Sequence, residues 1–193
     1  MQNFPKEIQQ FIRHNKEDID FEEKFFEFSK NYFFLSIKEG IVTNKDKIRK
    51  IVVHNPDTAI LIFRSFFKST YPDILCDCAK AIPGYAIRYL SDFLKEYNYE
   101  VFEYCVMQSP KEALHFLPEL KQDKNLFTIC CFLEPEFAVT KLHDTIKKVS
   151  GKLLRDLSYF VPKFVLHNLP IRAYLSNYFP EDVEQLKILE KEI

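Results

Sequence analysis

Glycine is scarce in this chain, with 3 in 193 residues. Hairpin-rich folds draw on glycine for their tight turns, so a β-rich architecture is disfavoured. Tryptophan is absent, although the chain holds 20 phenylalanines and 10 tyrosines. Neither charge sign dominates: 27 Lys and Arg against 28 Asp and Glu give a net charge of −1. A dedicated nucleic-acid binder usually carries a clear basic excess. No apolar run approaches the roughly 20 residues needed to cross a bilayer. The opening "MQNFPKEIQQF" lacks the basic start and apolar run of a secretory signal. A cytoplasmic chain without membrane association is therefore expected. The odd cysteine count, 5, suits a reducing compartment better than a disulfide framework.

Several chemical signatures are missing too. There is no Gly-rich phosphate loop, no paired-Gly nucleotide fingerprint and no H-E-x-x-H motif. His14, His115, His143 and His167 stand in no arrangement typical of an activated nucleophile. The expectation is a chain with no catalytic residue, no metal and no cofactor.

What the chain does have is a repeat. "IVVHNPDTAILIF", "CAKAIPGYAIRYL", "CVMQSPKEALHFL", "CCFLEPEFAVTKL" and "LSYFVPKFVLHNL" share one figure, aligned on Pro56, Pro83, Pro110, Pro135 and Pro162. The period is 25–27 residues, which marks stacked-repeat architecture. Three residues after each proline stand Ala59, Ala86, Ala113, Ala138 and Val165. Four after stand Ile60, Ile87, Leu114, Val139 and Leu166, and seven after stand Phe63, Leu90, Leu117, Leu142 and Leu169. These offsets form one helical face. Before the proline, the columns at minus eight (Ile48, Leu75, Phe102, Phe127, Leu154) and minus five (Ile51, Cys78, Cys105, Cys130, Leu157) are apolar or cysteine. Minus four adds Val52, Ala79, Val106, Cys131 and Ser158. Together they predict a second short amphipathic helix, with Asp46, Asp73 and Asn125 as plausible caps.

Proline has no N–H to donate and disfavours helix for the residue before it. At the first position of a helix neither property is harmful. Each proline therefore ends one helix and starts the next. Helices this short do not stand alone, but stacked pairs bury a continuous core. The predicted fold is all-α: a short right-handed α-solenoid of about five helix-turn-helix repeats with capping helices. Residues 46–180 hold the repeats. Residues 1–45 form the N-terminal cap, where Phe21, Phe25, Phe28 and Tyr32 fall on one helical stripe. Ser29 lies 27 residues before Pro56, so this cap reads as a degenerate sixth unit. Residues 181–193 are a charged capping helix with Val183, Leu186, Ile188, Leu189 and Ile193 apolar. The whole is expected to be one structural domain.

The segment "IRKIVVHNPDTAILIF" resembles the leucine-rich-variant repeat, through Ile48, Arg49, Val52, Asn55, Pro56, Thr58 and Ile62. The resemblance is close over 48–63; the other units are equally similar to generic short HEAT-type repeats. It implies a right-handed α-solenoid. The best-known leucine-rich-variant protein carries an iron–sulfur cluster in a cysteine-rich N-terminal segment. This chain has no cysteine before Cys76, and no cluster is expected.

Cys78, Cys105 and Cys130 share a repeat column. Packed helices stand about 8–10 Å apart, beyond the roughly 7 Å that a disulfide allows between Cα atoms. They are read as buried, reduced core residues. "RKIVVH", from Arg49 to His54, matches the loose Arg-x-x-x-x-His motif of HEPN ribonucleases. Those folds are bundles of longer helices, so the ribonuclease reading ranks last. Two basic clusters, Lys45–Lys50 and Lys147–Arg155, keep a nucleic-acid-binding solenoid as an alternative.

The outward side of the second helix is the most suggestive feature. Plus two holds Thr58, Tyr85, Glu112, Phe137 and Phe164; plus five holds Leu61, Arg88, His115, Thr140 and His167; plus six holds Ile62, Tyr89, Phe116, Lys141 and Asn168. Solvated positions would be expected there, yet many are aromatic or apolar. Solenoids line extended binding surfaces with one helix ladder, and interfaces favour aromatics and Arg. Two readings stand: a partner-binding strip, or rings packed into the adjacent unit. On the first, Tyr85, Arg88, Tyr89, His115, Phe116, Phe137 and Phe164 engage another protein, and the chain is a non-enzymatic scaffold of effector, inhibitor or immunity type.

Overall fold

The computed structural model describes residues 4–192; Met1–Asn3 and Ile193 lie outside them. Every regular element among the described residues is helical. The chain divides between Cys105 and Val106 into two compact units, and each is described by itself.

The first unit begins with α1 (Lys6–Asn15), α2 (Phe21–Phe28) and α3 (Lys30–Lys38). The expected single stripe is interrupted, because Ser29 takes an extended conformation between α2 and α3. Phe21 and Phe25 are buried as expected, whereas Tyr32 sits on a different helix, against Phe4 at 5.9 Å. The degenerate unit is legible if α3 is counted from Lys30: plus three, four and seven are then Phe33, Phe34 and Ile37, all buried. The phenylalanines fill this end of the core. Phe11 stacks on Phe28 at 4.4 Å, and Phe34 stacks on Phe63 at 5.3 Å. Gly40 closes α3 at φ 68°, a left-handed conformation that lets the Ile41 amide reach the Ser36 carbonyl at 2.9 Å.

The repeats follow. First helices are α4 (Lys45–Val53) and α7 (Pro72–Ala81); second helices are α5 (Pro56–Leu61) and α8 (Pro83–Tyr97), with α6 (Arg64–Thr70) between α5 and α7. The helix α9 (Tyr99–Gln108) contains the division between the two units. The second unit continues with α10 (Pro110–Phe116), a 3-10 turn at Pro118–Gln122, α11 (Lys124–Leu133) and α12 (Pro135–Val149). It ends with α13 (Gly151–Ser158), α14 (Pro162–His167), α15 (Leu169–Tyr178) and α16 (Pro180–Glu192). All five aligned prolines open a helix, each after a break of one to three residues.

The columns decide the core. Every residue at minus eight, minus five, minus four, plus three and plus four is buried, and all five at plus three are at 0% exposure. Alanine there lets another helix approach closely. The plus-seven column holds only in part. Leu90 and Leu117 are buried, Phe63 and Leu142 are half-buried, and Leu169 is exposed. Leu169 is displaced because Asn168 caps a new helix, its side chain accepting from the Ile171 amide; Ile171 and Leu175 are buried instead. Pro118 likewise stops α10, since the residue before a proline avoids helix. Where no such proline follows, α8 and α12 run for 15 residues. The break between α5 and α6 has no proline; the Ile62 and Phe63 amides both turn back to the Thr58 carbonyl, at 3.1 and 3.2 Å.

The expected caps are shifted. Asp46, Asp73 and Asn125 lie inside their helices; Asn44 and Asp123 accept from Lys47 and Leu126 amides, and α7 starts on Pro72. In α16, Val183 and Leu186 are buried while Ile188 is exposed. Ile193 lies outside the described residues.

Candidate functional site

The plus-two, plus-five and plus-six columns lie away from the centre of the helix face formed by plus three, four and seven. In the first unit this places Tyr85 and Tyr89, 46% and 41% exposed, one turn apart on α8, ring centroids 6.2 Å from each other. Arg88 is exposed between them. The break after α5 turns Ile62 outward to 69% exposure, in the same column as Tyr89. The Arg64 guanidinium lies 5.9 Å from the Tyr89 ring, and the Lys68 ammonium 5.3 Å from Phe93. Both cation–π contacts link α6 to α8.

The second unit repeats the pattern. His115 and Phe116 are exposed on α10, with ring centroids 4.5 Å apart. Phe137 on α12 is half-buried, 6.3 Å from His115, and Lys111 stands 5.8 Å from its ring. Phe164 on α14 is exposed. Between α12 and α14 lies a groove of about 350 Å³ lined by Thr140, Lys163, Phe164, His167 and Asn168. Six of the seven expected site residues are thus exposed within their own units, and Phe137 is half-buried.

The two basic clusters treat charge differently. Lys45 lies 3.0 Å from Asp73, and Arg49 Nε lies 3.1 Å from Asp77. Lys47 reaches Glu22 at 3.1 Å and Glu23 at 3.4 Å. Three of the four cations in the Lys45–Lys50 cluster therefore already have carboxylate partners. In the other cluster, Lys147 pairs with Asp144 at 3.1 Å and Arg155 grips Asp182 at 2.7 and 3.0 Å. Tyr159 donates to the same carboxylate, and Gln185 lies 3.1 Å from the Tyr159 hydroxyl. Arg155 beside Asp182 holds that carboxyl below the usual Asp range, against the upward push of burial. Arg49 and Arg155 occupy the same repeat position, minus seven, and each meets an Asp 24 to 28 residues later. The period alone could have exposed that network.

Arg49 and His54 line one groove of about 490 Å³ with Lys50, Asp77 and Lys80. His54 Nδ1 lies 2.6 Å from the Lys50 carbonyl, and Arg49 is engaged by Asp73 and Asp77. All five cysteines are buried and unbridged. Burial pushes the Cys78, Cys105 and Cys131 thiols up to about 12, and Cys76 and Cys130 to about 11. The Cys78 thiol points to the Val52 carbonyl at 3.8 Å, and Cys105 to the Ala79 carbonyl at 3.5 Å. Each is a minus-five thiol on the minus-four carbonyl of the preceding repeat. Among the described residues no cluster of His, Cys, Asp and Glu could hold a metal, and no helix is long and apolar enough to cross a membrane.

No protein-family profile matches the chain, and neither does any curated protein or solved structure.

Proposed function

We propose that the chain is a short right-handed α-solenoid of five helix-turn-helix repeats, of leucine-rich-variant or HEAT-like kind, with capping helices at both ends. It acts in the cytoplasm as a non-enzymatic scaffold, of effector, inhibitor or immunity type, and binds another protein along the ladder of second helices. Two features support the solenoid: the proline-led period, and the thiol–carbonyl contact that recurs from one repeat to the next. One observation carries the binding reading. Adjacent positions of the second helix divide sharply, with plus three and four buried in every repeat, while Tyr85, Tyr89, Phe116 and Phe164 at plus two and six are exposed and Phe137 is half-buried. Rings that only thickened the core would be buried with them.

A photo-crosslinking amino acid placed at Tyr89, and separately at Lys50 on the first-helix side, tests the reading in host lysate. A single protein crosslinked from position 89, whose purified form loses affinity for Tyr85→Ala and Tyr89→Ala, supports it. Crosslinks confined to position 50 would overturn it.

A nucleic-acid reading draws on the groove holding Lys50, His54 and Lys80. It requires binding that weakens steeply with salt, because phosphate contacts release counterions. The carboxylates on Lys45, Lys47 and Arg49 work against it. The ribonuclease form of that reading predicts RNA cleavage abolished by His54→Ala.

A further inference from the structure

The repeat is its own control for what the fold requires. At the corner between the two helices, two residues before each proline, stand His54, Ala81, Gln108, Leu133 and Phe160. The first three show that the corner folds with polar or small residues. In the last two repeats it is apolar, and both side chains are out in solvent, Phe160 at 62% exposure. The plus-two column is mixed in the first three repeats, with Thr58, Tyr85 and Glu112, and is phenylalanine in both of the last two, Phe137 and Phe164. Core packing explains neither change, since these side chains are exposed or half-buried.

These residues surround a concavity. A groove of about 440 Å³ opens at the corner of α13 and α14, walled by Phe160, Val161, Pro162 and Phe164. Phe132 extends the wall, edge-on to Phe160 at 5.4 Å. The charged groups on the lining are Glu136, Glu190 and Lys163. Glu190 is half-buried, 3.1 Å from His167 Nε2, so its charge is less screened by solvent than that of exposed Lys163. A void of this size takes an inserted side chain, and apolar walls with a few charges at the rim are the usual make-up of a recognition pocket. Aromatic walls around a central pocket are also where interface energy concentrates.

We propose that this groove is the anchor point of the protein partner, and that it takes a segment in which an apolar side chain is flanked by Lys or Arg. The apolar side chain enters between Phe160 and Phe164. The flanking cation meets Glu136 and Glu190. An acidic segment would bring like charge onto a half-buried carboxylate, which is costly. The inference rests on the reading of the chain as a protein-binding repeat, and it locates and specifies that binding.

The test uses purified protein and two synthetic probes. One is a short peptide amide of alternating lysine and leucine around a central phenylalanine; the other has glutamate at each lysine. Binding is followed by amide chemical shifts and by fluorescence anisotropy. The lysine peptide is expected to saturate, with shifts centred on Phe160–Phe164, and to bind at least about tenfold tighter than the glutamate peptide, a difference of roughly 1.4 kcal/mol. Combined Phe160→Ala and Phe164→Ala should erase that binding, while Tyr104→Ala, an exposed ring elsewhere, should leave it intact. The double reversal Glu136→Lys and Glu190→Lys should exchange the preference between peptides, and this arm survives even if the double alanine variant unfolds. Equal binding of both peptides, shifts away from the groove, or a short single-stranded RNA displacing the peptide from the same residues would overturn the proposal. Crosslinking at Tyr89 is read separately, so the groove and the second-helix face can each fail alone.

Discussion

The two helices of a repeat hold their cations in different ways. On first helices, Lys45, Lys47, Arg49 and Arg155 lie against carboxylates of a neighbouring element. On α6 and the second helix α10, Arg64, Lys68 and Lys111 lie over aromatic rings; Lys147 on α12, paired with Asp144, and Arg155, which also lies over Phe179, are the exceptions on either side. A cation on a carboxylate is neutralised, whereas a cation on a ring keeps its charge and most of its N–H donors. The first arrangement tethers one repeat to the next. The second leaves a surface that is apolar, cationic and partly exposed. On the proposed reading, the same framework has a side that closes on itself and a side that meets a partner. The predictions below are ways to break that contrast, or to draw it more sharply.

The largest effects belong to neither surface, since both depend on the shared core. Leu75→Ala removes a fully buried side chain from the minus-eight column and should cost about 2–5 kcal/mol of stability. Ala86→Leu forces bulk into the plus-three column and should cost about 1–3 kcal/mol. Denaturant melts measure both. If Ala86→Leu is neutral, the close approach at plus three is absent, and the face opposite it loses its fixed orientation.

The tethering side carries a pH signature. Asp182 is held below the ordinary Asp value of about 3.9 by Arg155 and Tyr159. A depressed folded-state value means the stabilisation is present above the unfolded value and is lost as pH falls through the folded one. Thermal stability should therefore fall steeply below roughly pH 4, and Asp182→Asn should flatten that slope. An unchanged slope in the variant would show that the network does not tether α16.

The cysteines sharpen the same point without mutation. With thiols raised to about 11 or 12, very little thiolate exists at neutral pH, and all five side chains are buried. A thiol reagent should label them at the rate of unfolding, and rapidly in denaturant. Fast native labelling of Cys78 or Cys105 would mean that the thiol–carbonyl contacts between repeats open readily.

Much of this architecture was legible because proline and apolar spacing act locally. The five prolines set the helix starts, and the columns at minus eight, minus five, minus four, plus three and plus four are buried throughout. What escaped depends on competing local rules. Ser29 breaks the N-terminal stripe, and Pro118 and Pro170 shorten second helices whose apolar frame reads as continuous. The caps lie two residues before the expected ones, because Asp46 and Asn125 look as suitable as Asn44 and Asp123 until the backbone amides are located. In the candidate site, exposure of the outward rings followed from helical geometry. The corner apolars Leu133 and Phe160 did not stand out, because next to the columns they read as more core.

The smallest stability effect is the one that decides the contrast. Tyr85 and Tyr89 are each more than two-fifths exposed; their rings meet each other, and Tyr89 also takes the exposed Arg64 guanidinium. Arg88 lies between them but has a further interaction within the chain, so its truncation would mix two effects. Tyr85→Ala or Tyr89→Ala should shift stability by no more than about 0.5 kcal/mol, as substitutions at exposed sites usually do. If the rings are anchors of an interface, the same truncations should weaken partner binding by about 2 kcal/mol, roughly thirtyfold. Melting temperature and affinity, measured on the same variants, separate the two readings of the outward rings. Lowered affinity with an unchanged melt makes them an interface. A drop of several degrees makes them packing, and the second helices then differ from the first only in which partner their cations find.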